Sequence, residues 1–278
     1  MPTTTNIINL SAVDAGMGVP LVFLHGFPLS RGAWQKQIDG FRSAYRVIAP
    51  DLRGFGASET LPGPTTMAQY ATDVRALLQE LRTGPAVLIG HSMGGYVTLA
   101  FARQFPEMLR GLVLVGTKAG ADSAEAAAGR RALAEKVKTD GVQVVVEAMA
   151  PKMLAAGNRD VRMGEEVRAI MASSKPLGVV GALLGMAERP DATALLAHIA
   201  VPTLVITGED DTLVPPAESK KLAEAIRGAR LEVIARAGHL VGFEQPDQFN
   251  RALEDWLSGA AFDSLSRDQA AAGRSPQE

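Results

Sequence analysis

The sequence predicts an α/β protein with a mostly parallel sheet, helices on both faces and a helical insertion past its middle. Three observations predict it. Short runs rich in apolar and β-branched residues alternate with longer stretches of helical period, the order that a parallel sheet with crossover helices requires. The alternation stops between about 120 and 198, where the chain turns rich in Ala, Met, Arg and Glu. At 278 residues, 47% hydrophobic and 21% charged, the chain can fill one large core that carries such an insertion.

The elements follow in order. Residues 6–15 form a strand or hairpin at the sheet edge, and strands follow at 21–24, 46–50, 86–90, 112–116, 203–207 and 231–235. Helices are expected at 30–40, at 67–81 with Thr65 or Thr66 as N-cap, at 92–104, at 217–227 and at 247–257. Ala76, Leu77, Leu78 and Leu81 make an apolar stripe that packs on the sheet. The valines of 142–146 resemble a strand, but KVKTDGVQ and EAMAPKML on either side favour helix. The expected division is a core of 1–119 and 199–258, an inserted helical cap of 120–198, and a flexible tail of 259–278 that is small and polar. Met149, Met153, Met163, Met171 and Met186 fall in the insertion, where most of them fill core and some could line an adaptable apolar pocket.

Composition excludes several function classes. The absence of cysteine removes disulfides, thiolate metal sites and a cysteine nucleophile together. A formal net charge of -2 provides no basic field for nucleic acid or anionic lipid, so neither is an expected partner. The opening MPTTTNIINL does not read as a secretory signal, and no apolar run approaches the roughly 18 residues of a membrane span, so a cytoplasmic location is expected.

The strongest chemical signal is AVLIGHSMGGYVTLAFA, an apolar strand that runs through Gly90-His91-Ser92-Met93-Gly94 directly into helix-period sequence. G-x-S-x-G occurs by chance as a bare pattern. Between a strand and a helix it makes a nucleophile elbow, with Ser92 on a strained turn and glycines where side chains would collide. The N-terminus of the following helix favours negative charge developing beside Ser92.

With HGFP, DLRGFGAS, GEDDTLVPP and AGHLVGFEQP, the GHSMGG motif makes the chain similar to α/β-hydrolase fold proteins over about residues 6–258. Within that superfamily it resembles cofactor-free esterases, 3-oxoadipate enol-lactonases and non-haem haloperoxidase-like enzymes. The resemblance implies Ser92 as nucleophile, with an acid and then a histidine later in the chain. Of the histidines after Ser92, His198 lies in the return from the insertion. His239 follows a strand and an acid-rich strand end, so chain order selects it. The family's spacing selects Asp211 as the acid that orients it, with Asp210 as the adjacent rival.

Two backbone donors should receive the oxyanion: the N–H of Met93 and, by resemblance, that of Phe27. His25 is assigned to positioning the Phe27 loop, Asp51 and Arg53 to structural ion pairing, and Ser58 to a loop. The implied activity is hydrolysis of a small-molecule carboxylic ester, without metal or organic cofactor. A lactonase of the 3-oxoadipate enol-lactonase type is the alternative. Its substrate carries carboxylates, for which Arg130, Arg131, Arg159 and Arg189 are candidates. The aromatic residue before Pro28 suggests a perhydrolase side activity, and a non-catalytic receptor on the same fold is a reading of another class. Dehalogenase and epoxide hydrolase are disfavoured because each would use aspartate where Ser92 stands.

Overall fold

A computed structural model describes residues 7–259. Apart from Gly259, the tail expected to be flexible lies outside the described residues. Seven strands form one sheet in the order β1 (Ala12–Ala15), β3 (Arg46–Pro50), β2 (Pro20–Leu24), β4 (Ala86–His91), β5 (Leu109–Val115), β6 (Thr203–Gly208) and β7 (Arg230–Ile234) among the described residues. Only β1 is antiparallel to its neighbour.

β2, β4 and β6 are buried at every residue, so their sequences are continuous apolar runs rather than alternating ones. The strand period of two still sorts their side chains onto two cores. Val22, Leu24, Ile48, Leu88 and Val205 point to one face, and Leu21, Phe23, Val47, Val87 and Leu204 to the other. On the first face lie α2 (Met67–Glu80) and α3 (Met93–Gln104), with Tyr70, Val74 and Val97 in contact. The second face carries α1 (Gln35–Phe41) and the C-terminal helix at Pro246–Leu257, through Ile38, Phe41, Phe249, Leu253 and Trp256.

Three boundaries differ from the sequence reading by more than two residues, the first being the edge strand expected within 6–15, which is Ala12–Ala15. The strand expected from 112 begins at Leu109, because a register shift opposite Ala86 and Val87 skips Arg110 and lets Leu109 pair with Ala86 and Gly111 with Val87. Neither Arg110 nor Gly111 signals a strand. The helix expected over 30–40 opens as a 3₁₀ turn at Arg31–Trp34 before α1. For α2 the N-cap is Thr66, whose hydroxyl accepts the Gln69 N–H and contributes about 1 kcal/mol.

Between β5 and β6 the chain is helical: α4 (Ala124–Asp140), α5 (Gln143–Met149), α6 (Val161–Ala172), α7 (Pro176–Ala187) and α8 (Thr193–Leu196). The valines of 142–146 are in α5 or at its start. Gly141 ends α4 with φ 78°. Ser123 and Asp160 cap α4 and α6 through the N–H groups of Ala126 and Met163. α7 is apolar on nearly all sides because it is buried, with Gly178 packed against the backbone of Gly54 and Gly185 against that of Thr65. Met153, Met171 and Met186 are core residues. Among the described residues no single helix is long and apolar enough to cross a membrane.

The sheet order places the site. The chain leaves β2 toward β3 on one side and returns at β4 on the other, so the loops after β2 and β4 diverge at the carboxyl edge. Such switch points leave a crevice where ligands bind in open α/β sheets.

Candidate active site

The β2–β4 register pairs Leu24 with Gly90, which brings the loop after Leu24 beside the turn after Gly90. A side-chain carbon on Gly26 would lie 3.2 Å from Ser92 Cβ and 2.6 Å from His91 Nδ1, so the Phe27 loop touches the serine turn. Ser92 sits at φ 52°, ψ -112°, a conformation costing a non-glycine residue roughly 1–3 kcal/mol. Contacts on both sides hold it there. Its N–H donates to Val115 O at 2.9 Å, and its carbonyl accepts from Gly95 N at 2.9 Å and Thr117 Oγ1 at 2.8 Å. A Cβ on Gly90 would strike Gly94 and Thr98, and one on Gly94 would strike the Leu24 and His25 carbonyls, so the turn closes only with glycine at both places.

Met93 opens α3, so its N–H has no partner inside the helix. Neither that N–H nor Phe27's makes a hydrogen bond among the described residues. The Phe27–Pro28 peptide is cis.

The strand ends of β6 and β7 supply the other two predicted residues. His239 Nδ1 lies 2.8 Å from Asp211 Oδ2, both groups buried. Asp211 Oδ1 accepts from the Leu213 and Val214 N–H groups at 2.9 Å each, which fixes the carboxylate and leaves Oδ2 to the imidazole. A carboxylate only accepts, so Nδ1 carries the proton and Nε2 has a free lone pair. Gly116 lies under the pair: a Cβ there would sit 3.4 Å from both Asp211 Oδ2 and His239 Nδ1. Asp210 is exposed, as is His198.

His25 is fully buried. Its Nε2 accepts the Leu52 N–H at 2.9 Å and its Nδ1 donates to Gly26 O at 2.9 Å, so the neutral ring braces the loop that carries Phe27. Burial lowers its pKa, which keeps that ring neutral. Asp51 and Arg53 are ion-paired, each with a residue outside their own motif: Arg31 lies 3.1 Å from Asp51, and Arg53 grips Asp73 with two bonds at 2.7 and 2.6 Å. Ser58 is buried in the loop, donating to Asp51 O and accepting from Ser11 N at 2.8 Å. Arg130 and Arg189 both close on Asp122, whereas Arg131 and Arg159 are exposed.

Two residues escaped the sequence reading. His91, next to the serine, donates its Nε2 proton to the His239 carbonyl at 2.9 Å, with the two rings 4.7 Å apart. Burial, and then the nearby His239, hold the His91 pKa well below its usual value. Glu244 is buried and accepts from Gly238 N at 2.7 Å, Asn158 Nδ2 at 2.6 Å and Ala155 N at 3.0 Å. It thereby ties the loop before His239 to the turn between α5 and α6. An acid inside the apolar run HLVGFEQP was the available signal, since a carboxylate in such company must find donors.

The sequence profile of the α/β hydrolase fold family matches residues 19–246, most of the chain. The chain belongs to the α/β hydrolase fold family. This hydrolase is 33% identical over 236 residues to 3-oxoadipate enol-lactonase 2 of Acinetobacter baylyi, covering 84% of this chain and 86% of that one. A thermophilic esterase from Thermogutta terrifontis, solved with malate bound, superposes with a TM-score of 0.88 at 43% identity, covering 90% of this chain and 93% of that one. A bromoperoxidase from Bacillus anthracis superposes with a TM-score of 0.81 at 26% identity, covering 91% and 96%. Among the described residues of the hydrolase, no cluster of three or more His, Asp or Glu side chains is arranged to hold a metal ion.

Proposed function

We propose that this hydrolase cleaves a small carboxylic ester through an acyl-enzyme on Ser92. The observation that carries the reading is a strained serine at the switch point with two undonated amides beside it, and a buried imidazole that packs on the preceding His91 while its Nδ1 is bonded to Asp211. His239 Nε2 takes the proton of Ser92 Oγ as Oγ bonds to the ester carbonyl carbon. The Phe27 and Met93 N–H groups receive the oxyanion, and Asp211 stabilises the imidazolium. Collapse breaks the bond to the alcohol, which leaves with the proton from His239. Water, deprotonated by the same nitrogen, then releases the acid. In this reading α4 to α8, within residues 120–198, are the cap that shapes the substrate pocket, and no cofactor enters the reaction.

The enol-lactonase relative favours lactones as a second substrate class, since the same steps open a cyclic ester. The arginines argue for the simpler ester. Arg130 and Arg189 are engaged by Asp122, and Arg131 and Arg159 are exposed, so none is committed to a carboxylate on the substrate.

Turnover of p-nitrophenyl butyrate by the wild type and by Ser92→Ala tests the reading. A loss on the order of 10⁶-fold in kcat is expected. Equal turnover by the variant would refute it. Running a γ-lactone and hydrogen peroxide as acyl acceptor alongside ranks the substrate classes.

A further inference from the structure

The inserted helices touch the loop that carries Phe27. Between α6 and α7 the chain turns a corner at Ser174, a buried residue whose hydroxyl donates to Pro28 O at 2.9 Å. The same corner is fastened to a second loop, where Lys175 Nζ donates to Ser58 O at 2.7 Å. The first tether ends next to Phe27, and the second ends on a loop that carries neither of the two amides.

The Ser174 bond reaches further than its own acceptor. In a trans peptide the carbonyl and the N–H lie in one plane and point in opposite directions, so a bond that holds one end aims the other. Pro28 O shares its peptide with the Leu29 N–H, which donates to Gly26 O at 3.0 Å. Gly26 O shares its peptide with the Phe27 N–H, which makes no hydrogen bond among the described residues. Both peptides are trans. A continuous series therefore runs from Ser174 Oγ, through the Pro28–Leu29 peptide and then the Gly26–Phe27 peptide, to the free N–H of Phe27. Hydrogen bonds linked in this way polarise one another, which strengthens the last donor.

The loop is also held from the core. His25 Nδ1 donates to Gly26 O at 2.9 Å, and Asp51 accepts the Arg31 N–H at 2.8 Å beyond the loop. Pro28 has no N–H, so its carbonyl is its one backbone group for an anchor between those points. Ser174 takes that carbonyl, and it comes from the insertion.

The geometry points to Ser174 as a positioning residue for the acyl transfer: it sets the Pro28–Leu29 peptide and, through Gly26 O, aims the Phe27 N–H at the oxyanion. The inference rests on the Ser92 reading above, and it gives the insertion a part in the chemistry besides its part in the pocket. A misaimed donor costs most in the transition state, where the substrate oxygen carries charge, and little in the ground state. The effect belongs in kcat and not in KM.

Steady-state turnover of p-nitrophenyl butyrate, with inhibition by an alkyl trifluoromethyl ketone whose serine adduct carries an oxyanion, tests this. Removing an oxyanion donor outright costs about 10²–10³-fold, so Ser174→Ala, which only loosens one, is expected to lower kcat roughly tenfold and raise the inhibition constant as much, with KM within about twofold. Ser174→Thr and Ser174→Val have nearly the same shape, and the threonine variant, which keeps the hydroxyl, should be several-fold faster than the valine variant. That comparison decides the matter if Ser174→Ala fails to fold by circular dichroism. Lys175→Met cuts the other tether of the same corner and should leave kcat within about twofold of wild type. Wild-type kcat in Ser174→Ala, equal defects in the threonine and valine variants, or a loss in Lys175→Met as large as that in Ser174→Ala would overturn the role of Ser174 while Ser92→Ala stays inactive. Full turnover by Ser92→Ala would instead overturn the Ser92 reading and this inference with it.

Discussion

His91 donates its Nε2 proton to the backbone carbonyl of His239 at 2.9 Å. The residue beside the serine therefore holds the main chain of His239, and this hydrogen bond joins the end of β4 to the loop after β7.

Removing that bond should act on catalysis more than on binding. His91→Ala is expected to lower kcat on p-nitrophenyl butyrate about tenfold, the effect of a bond worth ~1.4 kcal/mol, with KM nearly unchanged. His91→Gln, whose amide can donate to the same carbonyl, should recover most of the loss. Steady-state kinetics on both variants check this, and equal defects would deny His91 a positioning role.

The same burial makes the fold sensitive to acid. His25 and His91 both have lowered pKa values because burial disfavours their charged forms. Above about pH 6.5 the unfolded chain is neutral at these histidines as well, so the difference vanishes. Below it the unfolded chain takes up protons that the folded chain refuses, so stability falls as pH falls. The slope from each group has a ceiling of about 1.4 kcal/mol per pH unit and is felt below about pH 6.5, until the folded chain takes up that proton as well. Urea denaturation at pH 7, 6 and 5 measures it, and His91→Gln should remove one of the two contributions.

Asp211 and Asp210 differ by one position in sequence and wholly in surroundings. Asp211→Asn should cost on the order of 10⁴-fold in kcat by disturbing the imidazole's tautomer. Asp210→Asn, on an exposed side chain, should stay within about threefold of wild type. Comparable losses in the two would contradict the assignment.

Glu244→Ala would leave donors from Gly238, Asn158 and Ala155 buried without an acceptor. A loss of about 3–5 kcal/mol in chemical denaturation is expected, as for a buried charge network deprived of one member. Glu244→Gln keeps one acceptor oxygen and should fall between the two.

The Arg53–Asp73 pair is buried on both sides, with side-chain exposures of 5% and 0%. Arg53→Leu alone should cost about 3–5 kcal/mol because it strands the Asp73 carboxylate. Adding Asp73→Leu should restore part of that stability, a coupling that a double-mutant cycle reads directly.

Much of the site was legible because its parts are local. The elbow is a strand, a turn and a helix in immediate succession, and the glycines flanking Ser92 are required by contacts within a few residues or with the adjacent strand. The valines of α5 were readable as helix from their flanks. The start of β5 was not, since Leu109 and Gly111 pair with β4 only because the register skips Arg110 between them. Asp51 and Arg53 read as ion-paired residues, but their partners, Arg31 and Asp73, lie 20 residues away from each in the chain, where no pattern links them.

The sequence by itself determined the fold class, the strained serine turn and the order in which an acid and a histidine follow it. These depend on period, turn chemistry and chain order, which are properties of the string. The tertiary structure decided which aspartate meets His239, that His91 holds its backbone, and that Glu244 joins its loop to the inserted helices. The physical reason is direction and distance. Adjacent residues at a strand end point to opposite sides, and a buried donor is satisfied by whichever acceptor the packing brings within about 3 Å.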